Sequence, residues 1–363
     1  MADVHIVGAG PAGCITAINA VKNGHSVKIS EEHECSGIPV NCSGLFSKSG
    51  LEKLKDYIDY KKFSINEIHG ANIYFDNVLF KVRRNTVAHV CDRAGLDKAF
   101  AEKAEKEGAE ITYNERIKGN FKAKNIIGCD GPNSMVARHF EFPEITRFVG
   151  TLQKKMKYTP EEKDIVEVHL SSKFPGFFGW CIPHDEELCE IGVGVELPNR
   201  VMDAWNYFAK LKGIGPVNPS GSIIPVMARQ RAGRIIKDKN ILLVGDSAGQ
   251  TKATTGGGVL FSAWCAEIAG KNATKPRWYD LEWRLKYGND LTIHRKIRNY
   301  LNNLDDAGLR KLGKQLNGIN LDEYLGKHGS MDKPIEMFKP EIIRPFLSAV
   351  SISVFPNGPS SRQ

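Results

Sequence analysis

The chain has 363 residues, 41% hydrophobic and 25% charged, with a net charge of +8. This ordinary globular composition, long enough for two domains or one with a large insertion, excludes a fibrous, low-complexity or wholly disordered protein. No apolar run approaches the roughly 20 residues that span a bilayer, no nucleic-acid motif accompanies the positive charge, and the eight cysteines are scattered without a CxxC pair. A cytosolic protein with reduced thiols, no metal site and no nucleic-acid partner is expected.

The first predicted unit is strand, turn, helix and strand. Val4, Ile6 and Val7 begin a buried strand, and Gly8, Gly10 and Gly13, with Pro11 and Ala12 among them, have Gly-x-Gly-x-x-Gly spacing. Ala17, Ala20 and Val21 supply a helix face that Gly24 stops, and Val27 to Ser30 runs into Glu31 and Glu32. Gly8 permits the sharp turn, Gly10 lets backbone approach a pyrophosphate at the helix N-terminus, and Gly13 lets helix and strand pack closely. Glu31 can accept hydrogen bonds from both ribose hydroxyls, with Glu32 counted beside it.

Cys42 follows in a segment shaped by Gly37, Pro39 and Gly44, which reads as a loop and not as a helix interior. The stretch from His89 to Ile111 is expected to carry a helix with Asp92 as N-cap and Arg93 near its start, either touching a cofactor or lying on the surface. IIGCDGPNSMVAR, from Ile126, is an apolar strand run into Asp130-Gly131, followed by polar Asn133 and Ser134.

PGFFGWCIP, Pro175 to Pro183, has three aromatic rings and hardly a polar group. As a strand it sends Phe177, Gly179 and Cys181 to one face and Phe178, Trp180 and Ile182 to the other. One face can pack in a sheet while the other lines a cavity for an oily ligand, although a sandwich core without ligand would read the same way. The neighbouring runs IVEVHL and EIGVGVEL alternate as antiparallel strands do.

From Asn240 the chain gives another strand, Gly245-Asp246, a glycine-rich turn through Gly256, Gly257 and Gly258, and a helix to Gly270. Asp246 can bind a ribityl hydroxyl, while the glycine N–H groups and the helix dipole suit the negative charge around N1 and O2 of a reduced flavin. The dinucleotide turn alone leaves FAD and NAD open; this segment and Asp130-Gly131 choose FAD. Lys271 to Arg298 is a denser basic region, either a solvated helix face or a patch for anionic lipid, a phosphorylated substrate or an acidic electron carrier.

Together these residues resemble the FAD-dependent geranylgeranyl reductase family, in the flavoprotein group that shares the para-hydroxybenzoate hydroxylase fold. The family signatures are a cysteine shortly after the Rossmann half-site, a PxxYxWxFP segment, and an LxGD strand end followed by TGGG. They appear here as Pro39-Val40-Asn41-Cys42, as PGFFGWCIP, and as Leu243-Val244-Gly245-Asp246 with Thr255-Gly256-Gly257-Gly258. Phe178 replaces the usual tyrosine and Ile182 the usual phenylalanine. Lys252-Ala253 stands where many relatives have Asp-Pro, adding a positive charge near the flavin's pyrimidine side.

The resemblance and the element pattern imply an α/β protein, α+β overall. A Rossmann-like FAD-binding domain is expected from 1–45, 85–145 and 225–270, with an inserted antiparallel-sheet substrate domain from 46–84 and 146–224. A C-terminal helical region, 271–350, and a Pro/Ser tail, 351–363, expected to be disordered, complete it. The implied activity is saturation of isolated C=C bonds in a prenylated lipid or prenyl diphosphate, by hydride from flavin N5 and a proton from Cys42. A structural role for that thiol is the rival. Ferredoxin and NAD(P)H are both open as reductant, and peripheral membrane contact is expected because the substrate is a lipid. A flavin monooxygenase would use the same frame, as would a non-catalytic flavin or lipid carrier or electron-transfer protein.

Overall fold

A computed structural model of the chain describes residues 2–318, 321, 325 and 329–334. The first half contains β1 (Val4–Val7), α1 (Pro11–Lys22), β2 (Val27–Ser30), β3 (Leu45–Ser47), α2 (Lys48–Glu52), β4 (Ser64–Phe75), β5 (Val78–Cys91), α3 (Arg93–Glu107), β6 (Glu110–Thr112), β7 (Asn125–Gly128) and α4 (Met135–His139). There follow β8 (Phe148–Lys157), β9 (Ile165–Leu170), β10 (Gly179–Pro183), β11 (Leu188–Glu196), α5 (Val201–Leu211), β12 (Ser220–Pro225), β13 (Gly233–Ile236) and β14 (Lys239–Leu243). The last described helices are α6 (Val259–Lys271), α7 (Pro276–Trp283), α8 (Asn289–Asn302) and α9 (Asp306–Gly318), with a π-helical turn at Arg284–Gly288 joining α7 to α8. The tail from 351 lies outside the described residues.

Two sheets organise these elements. The first has the order β13-β14-β7-β1-β2-β6 and is parallel except for β13. Its inner strands are short, and their aliphatic residues are buried because helices cover both faces of the sheet. Ile126 and Ile127 of β7 and Leu242 and Leu243 of β14 are fully buried, in one core with Ile15 and Ile18 of α1, Phe100 of α3 and Phe261 of α6. This is the expected Rossmann-like layer.

The second sheet has the order β12-β8-β11-β10-β9-β4-β5-β3, antiparallel except between β4 and β9. Residue 85 falls inside β5, which belongs to this sheet as far as Cys91. Pairing of Trp180 with Gly192 and of Ile182 with Glu190 fixes which side chains share a face. Gly179 and Cys181 look toward α5, where Trp205 and Phe208 pack. Phe178, Trp180 and Ile182 look the other way and share a cluster with Leu309, Leu312 and Leu316 of α9. Among the described residues no helix is long and apolar enough to cross a membrane.

Candidate active site

The cradle is built at the C-terminal ends of β1, β7 and β14, where an open parallel sheet places its ligands. Gly8 has φ +99°, and a Cβ there would stand 2.4 Å from Cys129 O; one on Gly13 would stand 1.9 Å from Gly8 O. Only glycine allows either close approach. A Cβ on Gly10, the N-cap of α1, would meet nothing within 4 Å, so the backbone there faces open space suited to a phosphate. Pro11 occupies the first turn of α1 and Ala12 lies under Gly245. Glu31 is buried at the end of β2, accepting the Ala9 N–H at 2.7 Å and the His33 N–H at 3.1 Å. Glu32 is on the surface instead, 3.3 Å from Arg116 Nε.

Asp246 enters from the turn after β14. Its carboxylate has no hydrogen-bond partner among the described residues, and burial raises it to about 6 against the opposing charge of Arg93. A desolvated carboxyl aimed at a glycine loop suits a polyhydroxyl chain, and with the open backbone at Gly10 it makes the residues present fit FAD. Gly258 packs on it, since a Cβ there would be 2.9 Å from Asp246 Oδ1. The loop is closed internally by Gly256 N–H donating to Lys252 O at 2.8 Å and Lys252 N–H to Gly257 O at 3.1 Å. Asp130 has different work: its carboxylate accepts from Ser134 Oγ at 2.6 Å and Val136 N–H at 2.9 Å, tying down the start of α4. Gly131, φ +72°, has open space where a side chain would be.

Cys42 lies half-buried in a loop held at both ends. A Cβ on Gly37 would meet Ala94 O at 2.9 Å, and one on Gly44 would meet Cys91 O at 2.2 Å. The loop thus seats Cys42 beside Arg93, close enough for the two side chains to interact electrostatically. Arg93 donates to both oxygens of Asp97, at 3.1 and 2.6 Å, and lies over the Phe46 ring. Burial opposes its charge, but Asp97 and Cys42 more than offset that and hold it protonated. Asp92 takes the N-cap position of α3 without a side-chain capping bond. Cys42, Arg93 and Asp246, far apart in sequence, therefore form one constellation.

The wall is formed by Phe178, Trp180 and Ile182, all buried on one face. Phe177 joins them and does not take the opposite face that strict alternation assigns it. The strand begins only at Gly179; before it, Phe177 N–H turns back to Phe174 O at 3.0 Å, and the Phe177 ring stacks on Phe178 at 4.1 Å. Arg298 covers both rings, 5.1 and 5.6 Å from their centroids. The Trp180 indole fills the space left by Gly192, where a Cβ would be 2.2 Å from the ring.

Two polar residues of this face escaped the sequence reading. Glu190, opposite Ile182, is buried with Trp180 Nε1 at 3.5 Å, and burial pushes its carboxyl up to about 7, opposed by Trp180 and Lys155. His184 is buried with neither ring nitrogen hydrogen-bonded, and burial with Lys155 depresses it to about 4. The signal was present in EIGVGVE, where Glu190 is in phase with Gly192 and Gly194.

The basic region forms a helical stretch in which Lys271, Arg284 and Lys286 pair with Glu267, Asp280 and Glu282 at 2.6, 3.1 and 2.7 Å. Trp278, Leu281 and Leu285 are 63, 48 and 72% exposed there.

The glycine turn after β1, the Asp246 carboxyl without a hydrogen-bond partner among the described residues and the antiparallel wall fit one class: an FAD-binding flavoprotein of the hydroxylase fold. A geranylgeranyl bacteriochlorophyll reductase-like protein from Thermoplasma acidophilum shares this fold with TM-score 0.77 at 22% identity, covering 97% of this chain and 98% of its own. No family model matches the chain. An uncharacterised protein of Methanocaldococcus jannaschii is 30% identical, over 91% of this chain and 92% of its own. A digeranylgeranylglycerophospholipid reductase of Methanosarcina acetivorans is 26% identical, over 88% of this chain and 89% of its own. The chain belongs to the geranylgeranyl reductase family and is an FAD-dependent oxidoreductase.

Proposed function

We propose that this protein saturates isolated C=C bonds in the prenyl chains of geranylgeranylated lipids. One observation carries the reading: the aromatic wall abuts the triglycine loop, since a Cβ on Gly256 would be 3.1 Å from Phe177 Cζ. An apolar chain laid along β10 would therefore run toward the cofactor's ring. Burial contributes about 0.8 kcal/mol per methylene, so such a chain needs few polar contacts. The name of the Methanosarcina relative supports the same substrate class.

In this mechanism Gly10 and the N-terminus of α1 would hold the pyrophosphate, Glu31 the ribose and Asp246 the ribityl chain. Reduced flavin, when bound, supplies a hydride. An unactivated trialkyl alkene is a poor hydride acceptor, so Cys42 Sγ–H gives its proton to the less substituted alkene carbon and the other carbon gains tertiary cation character. Arg93, clamped by Asp97, holds a fixed positive charge beside that thiol. Phe178, Trp180 and Ile182 keep water from the cationic carbon. The thiolate then recovers a proton from solvent, and one proton and one hydride have been added to the double bond.

Mass spectrometry of a geranylgeranylated lipid, incubated anaerobically with FAD-loaded protein and dithionite, tests the reading. Mass gains in steps of two hydrogens are expected; a product that forms only with oxygen and gains an oxygen atom would support the hydroxylase reading instead.

Contact with a bilayer surface belongs to the same proposal, because the substrate must leave a membrane. It is supported by exposed Trp278, Leu281 and Leu285, with exposed Lys275 and Arg277 beside them; a face of this composition favours an anionic interface. Trp278→Ser combined with Leu285→Ser should abolish cosedimentation with anionic liposomes, and unchanged sedimentation would refute the contact.

A further inference from the structure

Lys252 occupies an unusual place for a lysine. Its side chain folds back across the triglycine turn, so that a Cβ on Gly257 would be 2.5 Å from its Cε and 3.0 Å from its Nζ. The ammonium is buried and donates to Asp332 Oδ1 at 2.7 Å and to Met331 O at 3.3 Å. Asp332, equally buried, accepts from Ser47 Oγ through its other oxygen, and Ser47 caps α2 by accepting the Gly50 N–H at 3.0 Å. His294 completes the cluster, with Nδ1 2.6 Å from Thr254 Oγ1 and Nε2 3.3 Å from Asp332 O; burial, with Lys252 beside it, depresses its pKa to about 4 and leaves it neutral.

Such a pair is a poor device for stability alone. Desolvation costs several kcal/mol for each ion, and apolar residues of similar volume often do as well or better. Its position suggests another use: the ammonium lies against the triglycine loop and the α6 N-terminus, which would meet the edge of the flavin ring where negative charge collects on reduction if FAD occupies the cradle.

We propose that Lys252 is a positioning residue that sets the electrostatic preference of the site for reduced over oxidised flavin, with Asp332 as the counter-charge that limits it. The inference rests on FAD occupying the cradle described above, and it adds to the hydride and proton roles without altering them. A cation at this edge stabilises the reduced ring and raises its potential. Asp332 lowers it by screening that cation.

The test is the midpoint potential of the bound flavin, measured on the FAD-loaded full chain by equilibrium titration against a reference dye. Lys252→Gln should lower the potential and Asp332→Asn should raise it, each by about 30 mV or more, equivalent to a tenfold change in the ratio of reduced to oxidised FAD affinity. Lys252→Arg, which keeps the charge, should stay near the parent value. Shifts of Lys252→Gln and Asp332→Asn in the same direction, or no shift in either while FAD stays bound, would overturn the proposal. Loss of FAD from all three variants would also overturn it, by showing that the pair serves only the shape of the loop. Absence of FAD from the unsubstituted protein would instead strike at the cofactor assignment.

Discussion

The cradle and the wall solve opposite problems. Around Gly8, Gly10, Asp246 and Gly258 the protein leaves open space at Gly10 and, among the described residues, one carboxyl without a hydrogen-bond partner, held in place by close approaches at Gly8 and Gly13 that no side chain tolerates. Around Phe178, Trp180 and Ile182 nearly everything is packed, and the polar exceptions, Glu190 and His184, are desolvated. A cofactor that stays can be met by a rigid polar frame. A chain that enters and leaves is better met by an apolar surface whose side chains can re-pack at small cost.

Substitutions can break or sharpen this contrast, and the largest effect belongs to the cradle. Gly13→Ala puts a Cβ 1.9 Å from Gly8 O, a backbone atom that cannot move away without displacing β1 or α1. The variant should purify without bound FAD, as read by absorbance near the flavin maximum; retained FAD would show that the turn is softer than its geometry indicates.

Next in size is Cys42→Ser, at the junction of the two regions. It should keep FAD and a parent-like Kd, because Cys42 holds none of the cradle's backbone, but lose most turnover. Full activity would remove the thiol from proton delivery and return it to a structural role.

The smallest effect lies in the wall and is a pH dependence. Glu190 is raised by burial from 4.5 to about 7, so between those values the folded protein binds a proton that the unfolded chain has released. Stability from this group is thus complete below pH 4.5 and is lost as pH rises through about 7, by up to on the order of 3 kcal/mol at 1.36 kcal/mol per pH unit. Glu190→Gln keeps an acceptor for Trp180 without this loss. Its melting temperature should exceed the parent's at pH 8 and match it near pH 4.5, whereas parallel melting curves across that range would show Glu190 to be solvated.

The sequence was most legible where function is local. Gly8, Gly10, Gly13 and Glu31 fall within one βαβ unit, so spacing alone predicts their relation, and the strand before Asp246 is equally plain. The wall was half legible: alternation places Trp180 and Ile182 correctly, but it fails at Phe177 because a turn, not a strand, precedes Gly179. Long-range pairings left no trace in spacing. Arg93 reads as a cofactor contact or a surface residue until the loop after β2 brings Cys42 to it, and Asp332 has no visible tie to Lys252 before the chain is folded. Asp130 shows the converse, a motif residue whose carboxylate is occupied by Ser134 and Val136.

The central claim, that the wall presents a prenyl chain to reduced flavin, is tested most directly by anaerobic stopped-flow absorbance. Photoreduced, FAD-loaded protein would be mixed with a geranylgeranylated lipid in detergent micelles, with a fully saturated lipid of the same head group as control. The account predicts flavin reoxidation that saturates with the unsaturated lipid and is absent with the saturated one. Flavin that stays reduced with both lipids until oxygen is admitted would contradict it.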